Sequence, residues 1–520
     1  MASGQAARVS FDIESRKGSG GSLFSAGVSW RSVAALLILA ALPMLVVTVP
    51  LASDYPNHLA RHHVFAMIGR GSALDGYFTV DWRWIGNLGV DLPVIGLTPW
   101  LGVETATRLV SALIAPLTVA GILLLSRSVH GRVTGSAMLA LPFAFAQPYL
   151  FGFLNYCLSV ALALILAAAW NARPTRRLWR SLAFGAGAIV VWTAHIMGWA
   201  VLLILVAGAE LASARGFRDL AARILYAMPL LLPVVPLLVW HADGAGDGLL
   251  FWYRPDLLSS KVMNFVTVLK GLSMPFDLAM TAAIGLAAIL AFLWAGGRRL
   301  EARLALGGGL LLLAALLSPT TLLRSWAADL RLTPVAILVA IMAIGPAARP
   351  TRERLLLILG ASLFALRAGW TAVQWRQADR VLHSRLAILN DVPMGSRLGF
   401  LAVNAPCHGW VLTPDRKLGA YAVTRRDSFT NTLFQVPGSD LMSFRNPADR
   451  ATWHDGSQDI PTLCPQGVPD MAVLRERMAQ MKAAGFTGLW IAGLDARAVP
   501  PLPGYAAAYV RGADTLLLKR

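Results

Sequence analysis

Long apolar runs separated by short, Arg-bearing breaks make up most of this chain. A membrane-crossing helix takes about 20 mostly apolar residues, and about eleven stretches meet that length. They lie near 32–50, 105–126, 134–150, 153–170, 181–195, 197–213, 223–240, 276–296, 303–318, 332–348 and 355–373. The run 181–213 is too long for one ordinary span, and His195 and Gly198 fall where a hairpin between two short spans would turn. Beyond about residue 376 the pattern changes to that of a soluble chain. It predicts a strand at Leu398–Val403, a helix at Pro469–Ala484, a strand at Thr487–Ile491 and a terminal pair around Gly512. The expected fold is mostly α: a polytopic membrane helix bundle of about 11 spans with a small C-terminal extracytoplasmic α/β domain.

Residues 1–30 are rich in Gly and Ser without sustained period, which predicts a disordered cytoplasmic tail. The first apolar run lacks an A-x-A cleavage site, so it is expected to stay as the first span. The inner connections then carry Arg127 and Arg132; Arg173, Arg176, Arg177 and Arg180; Arg215, Arg218 and Arg223; Arg298, Arg299 and Arg303; and Arg349, Arg352 and Arg354. The turns near 151 and 196 carry no Lys or Arg, so the basic connections all fall on one side, as the positive-inside rule requires. The transmembrane part is 31–375, the outer segments are about 51–104, 241–275 and 319–331, and 376–520 is the outer domain.

Composition agrees, with 56% hydrophobic and 14% charged residues and a mean hydropathy of +0.59. The net charge of +18 comes mostly from Arg between apolar runs, so nucleic-acid binding is a poor explanation for it. Three cysteines give neither zinc-ligand spacing nor a CxxC pair; Cys407 and Cys464 would pair outside the membrane or stay as free buried thiols. Neither GxxxxGK[ST] nor GxGxxG occurs, so nucleotide use has no support. Asp243 to Asp247 lacks the later ligands of an EF-hand and reads as a flexible turn.

Charged residues are nearly absent from the predicted spans except near their ends, as at Arg108 and Glu210, which disfavours proton-coupled transport. Polar side chains gather instead at the outer ends: Gln147, Asn155, Tyr156 and His195. Hydrocarbon offers them no partners, so they are expected to line a protein-walled cavity, with interfacial anchoring the alternative for Tyr156. Directly after the first span comes DYPNHLAR, which predicts a helix over Tyr55–Ile68. Asp54, His58 and Arg61 share one face of it, and the alternative reading is an N-cap followed by a solvated face.

An acidic residue opening the first outer loop, the long loop itself and an outer C-terminal domain together resemble the GT-C membrane glycosyltransferases. These include the protein O-mannosyltransferases, oligosaccharyltransferase subunits and lipid A aminoarabinose transferases. The resemblance implies inverting transfer of a sugar from a polyprenyl-phosphate-linked donor to a lipid, glycan or protein acceptor, at the outer face of a bacterial inner membrane with the C-terminal domain periplasmic. It also implies that Asp54 is the general base. A phosphate leaving group needs charge more than a proton, so nearby cations are candidates to bind it: Arg61, Arg254 in Phe251-Trp252-Tyr253-Arg254-Pro255, Lys261, Lys270, Arg324 and Arg331. A pair among Arg61, Arg254 and Arg331 would grip the lipid phosphate, with His195 and Asn155 lining the sugar pocket. Lys261 and Lys270 read more simply as loop charges, and Trp252 and Tyr253 could stack on a sugar or sit at the interface. Asp91 is a second carboxylate, for acceptor orientation, a divalent cation or a turn. A lipid or polysaccharide transporter and a non-catalytic assembly protein are the competing classes.

Overall fold

A computed structural model describes residues 28–172, 177–239, 251–297, 299–322, 325–403, 410, 414–436 and 438–520. The first half contains α1 (Trp30–Leu45), α2 (Tyr55–Met67), α3 (Asp91–Leu101), α4 (Val103–Ala112), α5 (Ile114–His130), α6 (Gly135–Ala140), α7 (Gln147–Phe151), α8 (Leu154–Ala172), α9 (Leu178–Ala194) and α10 (Ile196–Ser213). There follow α11 (Phe217–Ala227), α12 (Val234–Val239), α13 (Leu257–Val266), α14 (Met274–Trp294), α15 (Ala302–Leu317), α16 (Ala328–Met342) and α17 (Pro350–Arg385). The α4–α5 pair, α8, α10, α14 and α17 are long and apolar enough to cross a membrane, and α1, α9 and α15 are shorter apolar helices. Outward-facing Ile38, Val190, Leu286, Leu313 and Ile358 are exposed, the pattern of a bundle that meets lipid.

Two predicted spans are broken by 3-10 turns. Residues 134–150 break into α6, a 3-10 turn at Leu141–Phe145 and α7; residues 223–240 break into α11, a 3-10 turn at Met228–Leu231 and α12. Prolines at 142, 148, 229 and 233 remove backbone donors that a continuous helix needs, which an apolar-length ruler does not register. The predicted break at 195 is present, between α9 and α10. A further correction concerns charge inside the spans. Arg367 lies well within α17, buried, where its Nη1 donates to Asp277 of α14 at 2.7 Å and its Nη2 to the carbonyls of Leu269 and Phe145.

The bundle has two distinct ends. At one, His130 Nε2 bonds the Met342 carbonyl at 2.8 Å, Arg303 reaches the Val129 carbonyl at 2.9 Å, and Glu353 accepts from the amides of Gly135 and Ala347. At the other, the link from α1 to α2 lies on the α7–α8 turn, and the α9–α10 break meets the segment before α3 through Leu88 N to Thr193 O, 2.8 Å, and Ile196 N to Gly86 O, 2.9 Å.

The strands are β1 (Phe78–Val80), β2 (Phe251–Trp252), β3 (Thr321–Leu322), β4 (Ser325–Trp326), β5 (Arg397–Ala402), β6 (Phe429–Thr430), β7 (Met442–Phe444), β8 (Thr462–Leu463), β9 (Val468–Pro469), β10 (Gly488–Ala492), β11 (Tyr505–Arg511) and β12 (Asp514–Lys519). The main sheet runs β11-β12-β10-β5-β6, with β10, β5 and β6 parallel and β12 antiparallel to both of its neighbours. Short helices α18 (Tyr421–Arg426) and α19 (Pro447–Thr452) and the longer α20 (Met471–Ala483) complete this part. Its apolar core is shared with the first loop: Val64, Phe65, Leu74 and Phe78 pack among Leu401, Phe429, Phe444, Met478 and Phe486. Strand β1 pairs antiparallel with β7, Phe78 opposite Phe444. Cys464 is disulfide-bonded, while its expected partner Cys407, like Asp243, Asp247 and Arg324, lies outside the described residues.

Candidate functional site

The first loop enters its helix against a tight turn. Gly152 sits at φ +98°, and a Cβ there would come 2.8 Å from the Asp54 amide, so a glycine is required for the α1–α2 link to lie this close. The Asp54 amide donates to Phe151 O at 2.9 Å. Although Asp54 precedes a helix with proline at its start, its carboxylate makes no cap bond to α2. It accepts instead from Lys417 Nζ at 2.6 Å, and the same ammonium reaches Asp455 at 2.9 Å. Burial pushes the Asp54 carboxyl above its usual range, and Lys417 offsets part of that rise. Lys417 itself is held above its usual value, because the two carboxylates outweigh burial.

Along α2 the polar face is buried rather than solvated: His58 is 6% exposed and Arg61 2%. Arg61 forks onto Asp91, Nε to Oδ1 at 2.8 Å and Nη2 to Oδ2 at 3.1 Å, and its Nη1 reaches Asp440 at 2.8 Å. Asn155 Nδ2 donates to Asp91 Oδ2 at 2.8 Å, and Asn155 Oδ1 accepts from Val90 N at 2.7 Å. His58 Nδ1 accepts from Arg61, which leaves Nε2 to donate to the Gly152 carbonyl at 3.1 Å. Burial and the adjacent guanidinium keep that imidazole neutral, well below its usual value. For Asp91 burial opposes ionisation, yet Arg61, then His62, hold its carboxyl below the ordinary range.

Facing this wall, the α9–α10 break and the start of α16 form another. His195 is extended and caps α10, its Nδ1 accepting from Met197 N at 3.1 Å. Tyr156 donates its hydroxyl to Arg331 O at 2.6 Å and meets the His195 ring edge-on at 5.7 Å. The Arg331 guanidinium, 9% exposed as a residue, stacks over Phe153 at 4.2 Å and donates to Ser325 Oγ at 2.5 Å. Its Nε has no partner, and among the described residues no carboxylate lies within ion-pair distance of it. A buried, desolvated cation lacking a counter-ion is a strong anion site.

These walls enclose a cavity of about 570 Å³ lined by Asp54, His58, Arg61, Asn155, Tyr156, His195 and Arg331. Seven residues singled out in the sequence thus meet in one place, with Asp91 directly behind Arg61 and Asn155. Arg254 does not join them: its side chain is half exposed and pairs with Asp256 at 3.0 Å. Lys261 is no loop charge, being buried against Asp329 at 2.8 Å and the carbonyls of Ala315 and Ser318. Lys270 lies 6.0 Å from the Trp410 ring and does not line the cavity. Of the three arginines offered for a clamp, Arg61 and Arg331 reach the cavity and Arg254 does not; Arg61 is held by two carboxylates, and Arg331 makes no ion pair among the described residues. Asp91 is occupied by Arg61, and among the described residues no group of three or more His, Cys, Asp or Glu could hold a metal ion. Lys417, Phe434, Asp440 and Asp455 also line the cavity and escape sequence reasoning. They lie on aperiodic segments more than 350 residues from Asp54, with no local signal of their destination.

No family model and no curated protein matches the chain. Among solved structures, ArnT from Cupriavidus metallidurans in the apo state superposes with a TM-score of 0.52 at 13% identity, over 94% of this chain and 96% of that one. The chain shares the ArnT fold. Arabinofuranosyltransferase AftD from Mycobacteria also matches, at 15% identity and a TM-score of 0.47 over 95% of this chain. This chain spans 40% of the AftD length. The likeness in fold to ArnT extends over nearly the whole chain.

Proposed function

We propose that this chain is a membrane glycosyltransferase that moves a sugar from a polyprenyl-phosphate donor to an acceptor hydroxyl on the extracytoplasmic side, with inversion. The observation that carries the reading is the placing on one cavity, at one end of the bundle, of a buried carboxylate, Asp54, and a buried guanidinium, Arg331, that makes no ion pair among the described residues. The shared fold with ArnT supports it. In this reading the acceptor O–H passes its proton to Asp54 as its oxygen bonds the anomeric carbon from the face opposite the phosphate. The bond from that carbon to the phosphate oxygen breaks, its electron pair stays on the phosphate, and Arg331 meets the resulting charge. Lys417 favours the ionised form of Asp54 against the effect of burial and is a positioning residue. His58 and Asp91 orient Arg61 and the α2 wall.

Two variants test this in membranes with a polyprenyl-phosphate sugar donor. Asp54→Asn should lower turnover by about 10²–10⁴-fold with donor binding largely retained, the range a lost general base gives. Arg331→Ala should weaken donor use roughly 10–100-fold, the loss of a charge-assisted contact. An Asp54→Asn protein that still modifies its acceptor at the native rate would overturn the assignment.

A further inference from the structure

The charges around the cavity are unevenly divided. On the α2 and C-terminal side, Asp54 and Asp455 share one cation, Lys417, at 2.6 and 2.9 Å, while Asp91 and Asp440 share another, Arg61, at 2.8 Å each. Four carboxylates thus share two cations, and burial keeps His58 and His62 neutral while it also raises Asp54 and Asp440, so with its carboxylates ionised this wall has more negative than positive groups. Phe434 lies between the two clusters, with Arg61 at 5.6 Å and Lys417 at 5.9 Å from its ring. On the opposite side, the Arg331 guanidinium meets Ser325, Met197, Phe153 and Tyr156; no carboxylate among the described residues is in ion-pair contact with it, and Asp54 across the cavity acts on it at longer range. Phe151, Phe153, Leu154, Met197, Trp199 and Trp326 give the cavity apolar lining as well, which lowers the screening of such a separation.

Resting on glycosyl transfer as the reaction, we propose that the acceptor bound at the carboxylate wall is a neutral or amino-bearing polyhydroxyl compound, and that this wall refuses acceptors carrying phosphate or carboxylate near the reacting hydroxyl. The donor's phosphate is drawn to Arg331, where the only cation without an ion pair among the described cavity residues lies. An anionic acceptor would meet Asp440 and Asp455, whose positive partners are already shared. A polyol finds acceptors there instead: the carboxylate oxygens of Asp440 and Asp455, and Asn87 and Ser439 on the same lining.

Charged thiol reagents map this potential without knowledge of either substrate. In full-length protein carrying Cys157→Ala, a cysteine at Ser439→Cys should react with a trimethylammonium methanethiosulfonate at least about tenfold faster, relative to the sulfonate reagent, than a free thiol does. Ser325→Cys beside Arg331 should show the opposite preference; Met197→Cys serves the same purpose if the first variant fails to fold. Asp440→Asn and Asp455→Asn should each reduce the cation preference at 439, by roughly threefold. Equal reagent preference at the two positions overturns the proposal. Transfer of labelled sugar in membranes, separated on an anion exchanger, supplies a second reading. Asp54-dependent label in neutral or cationic product supports the acceptor class, and label confined to anionic product overturns it while leaving glycosyl transfer standing. Absence of any Asp54-dependent transfer counts against the reaction, and the reagent ratios still decide the charge map.

Discussion

Lys417 stands between Asp54 and Asp455, and its charge sets how readily Asp54 takes a proton. Burial raises the Asp54 pKa and Lys417 lowers it, so deleting that positive charge raises it further. A base works only while ionised, so the acid limb of the pH–rate profile should move to higher pH in Lys417→Gln, and Lys417→Arg should restore it. An unmoved limb with reduced turnover would assign Lys417 to packing alone. Arg254→Ala supplies a contrast, because its half-exposed pair with Asp256 is screened by solvent. Donor KM should change less than about twofold in it, against the large loss expected for Arg331→Ala. The α2 motif was legible because Asp54, His58 and Arg61 recur at helical spacing beside a span. What occupied them was not: the partners Lys417 and Asp440 lie 363 and 379 residues downstream, where no periodicity links them to α2.

At the level of elements, the break between α9 and α10 places His195 on the cavity. Ser159 of α8 ties this break in place, its Oγ lying 2.7 Å from Val191 O and 3.0 Å from His195 O. A Cβ at Gly198 would come 2.0 Å from that Oγ, so α10 approaches α8 only because position 198 lacks a side chain. Gly198→Ala should force the helices apart and destabilise the protein by about 1–3 kcal/mol, read as a lower melting temperature in detergent. An unchanged melting temperature would mean that the contact is soft. Apolar length located most of the long helices, and the charge pattern located this break. Hydropathy could not show that 134–150 and 223–240 are interrupted, because proline is apolar yet ends helices, nor that Arg367 is tolerated inside α17. Arg367 is tolerated there because Asp277 and two carbonyls take up its Nη1 and Nη2, a pairing made across helices. Asp277→Ala should leave that guanidinium without its counter-ion and cost about 3–5 kcal/mol, measurable in the same melt.

On the scale of the molecule, the cavity belongs to the first loop, the bundle and the C-terminal segments that carry Lys417, Phe434, Asp440 and Asp455. On the proposed sidedness the cavity end lies outside, so a C-terminal alkaline phosphatase fusion should be active and a C-terminal green fluorescent protein dark in a Sec-exported context. The reverse pair of signals would invert the proposed sidedness. The joint core of Phe65, Leu74 and Phe78 with Phe429, Phe444 and Phe486 also bears on how the chain is made. Translation proceeds at about 5–20 residues per second, so Asp54 waits roughly 20–70 s for Lys417, 363 residues later. Throughout that interval the loop has neither its aromatic partners nor the strand that pairs with β1. The newborn loop therefore leaves the translocon with a half-built hydrophobic face, and a ribosome stalled before residue 442 would hold a loop open to proteases that the finished protein resists.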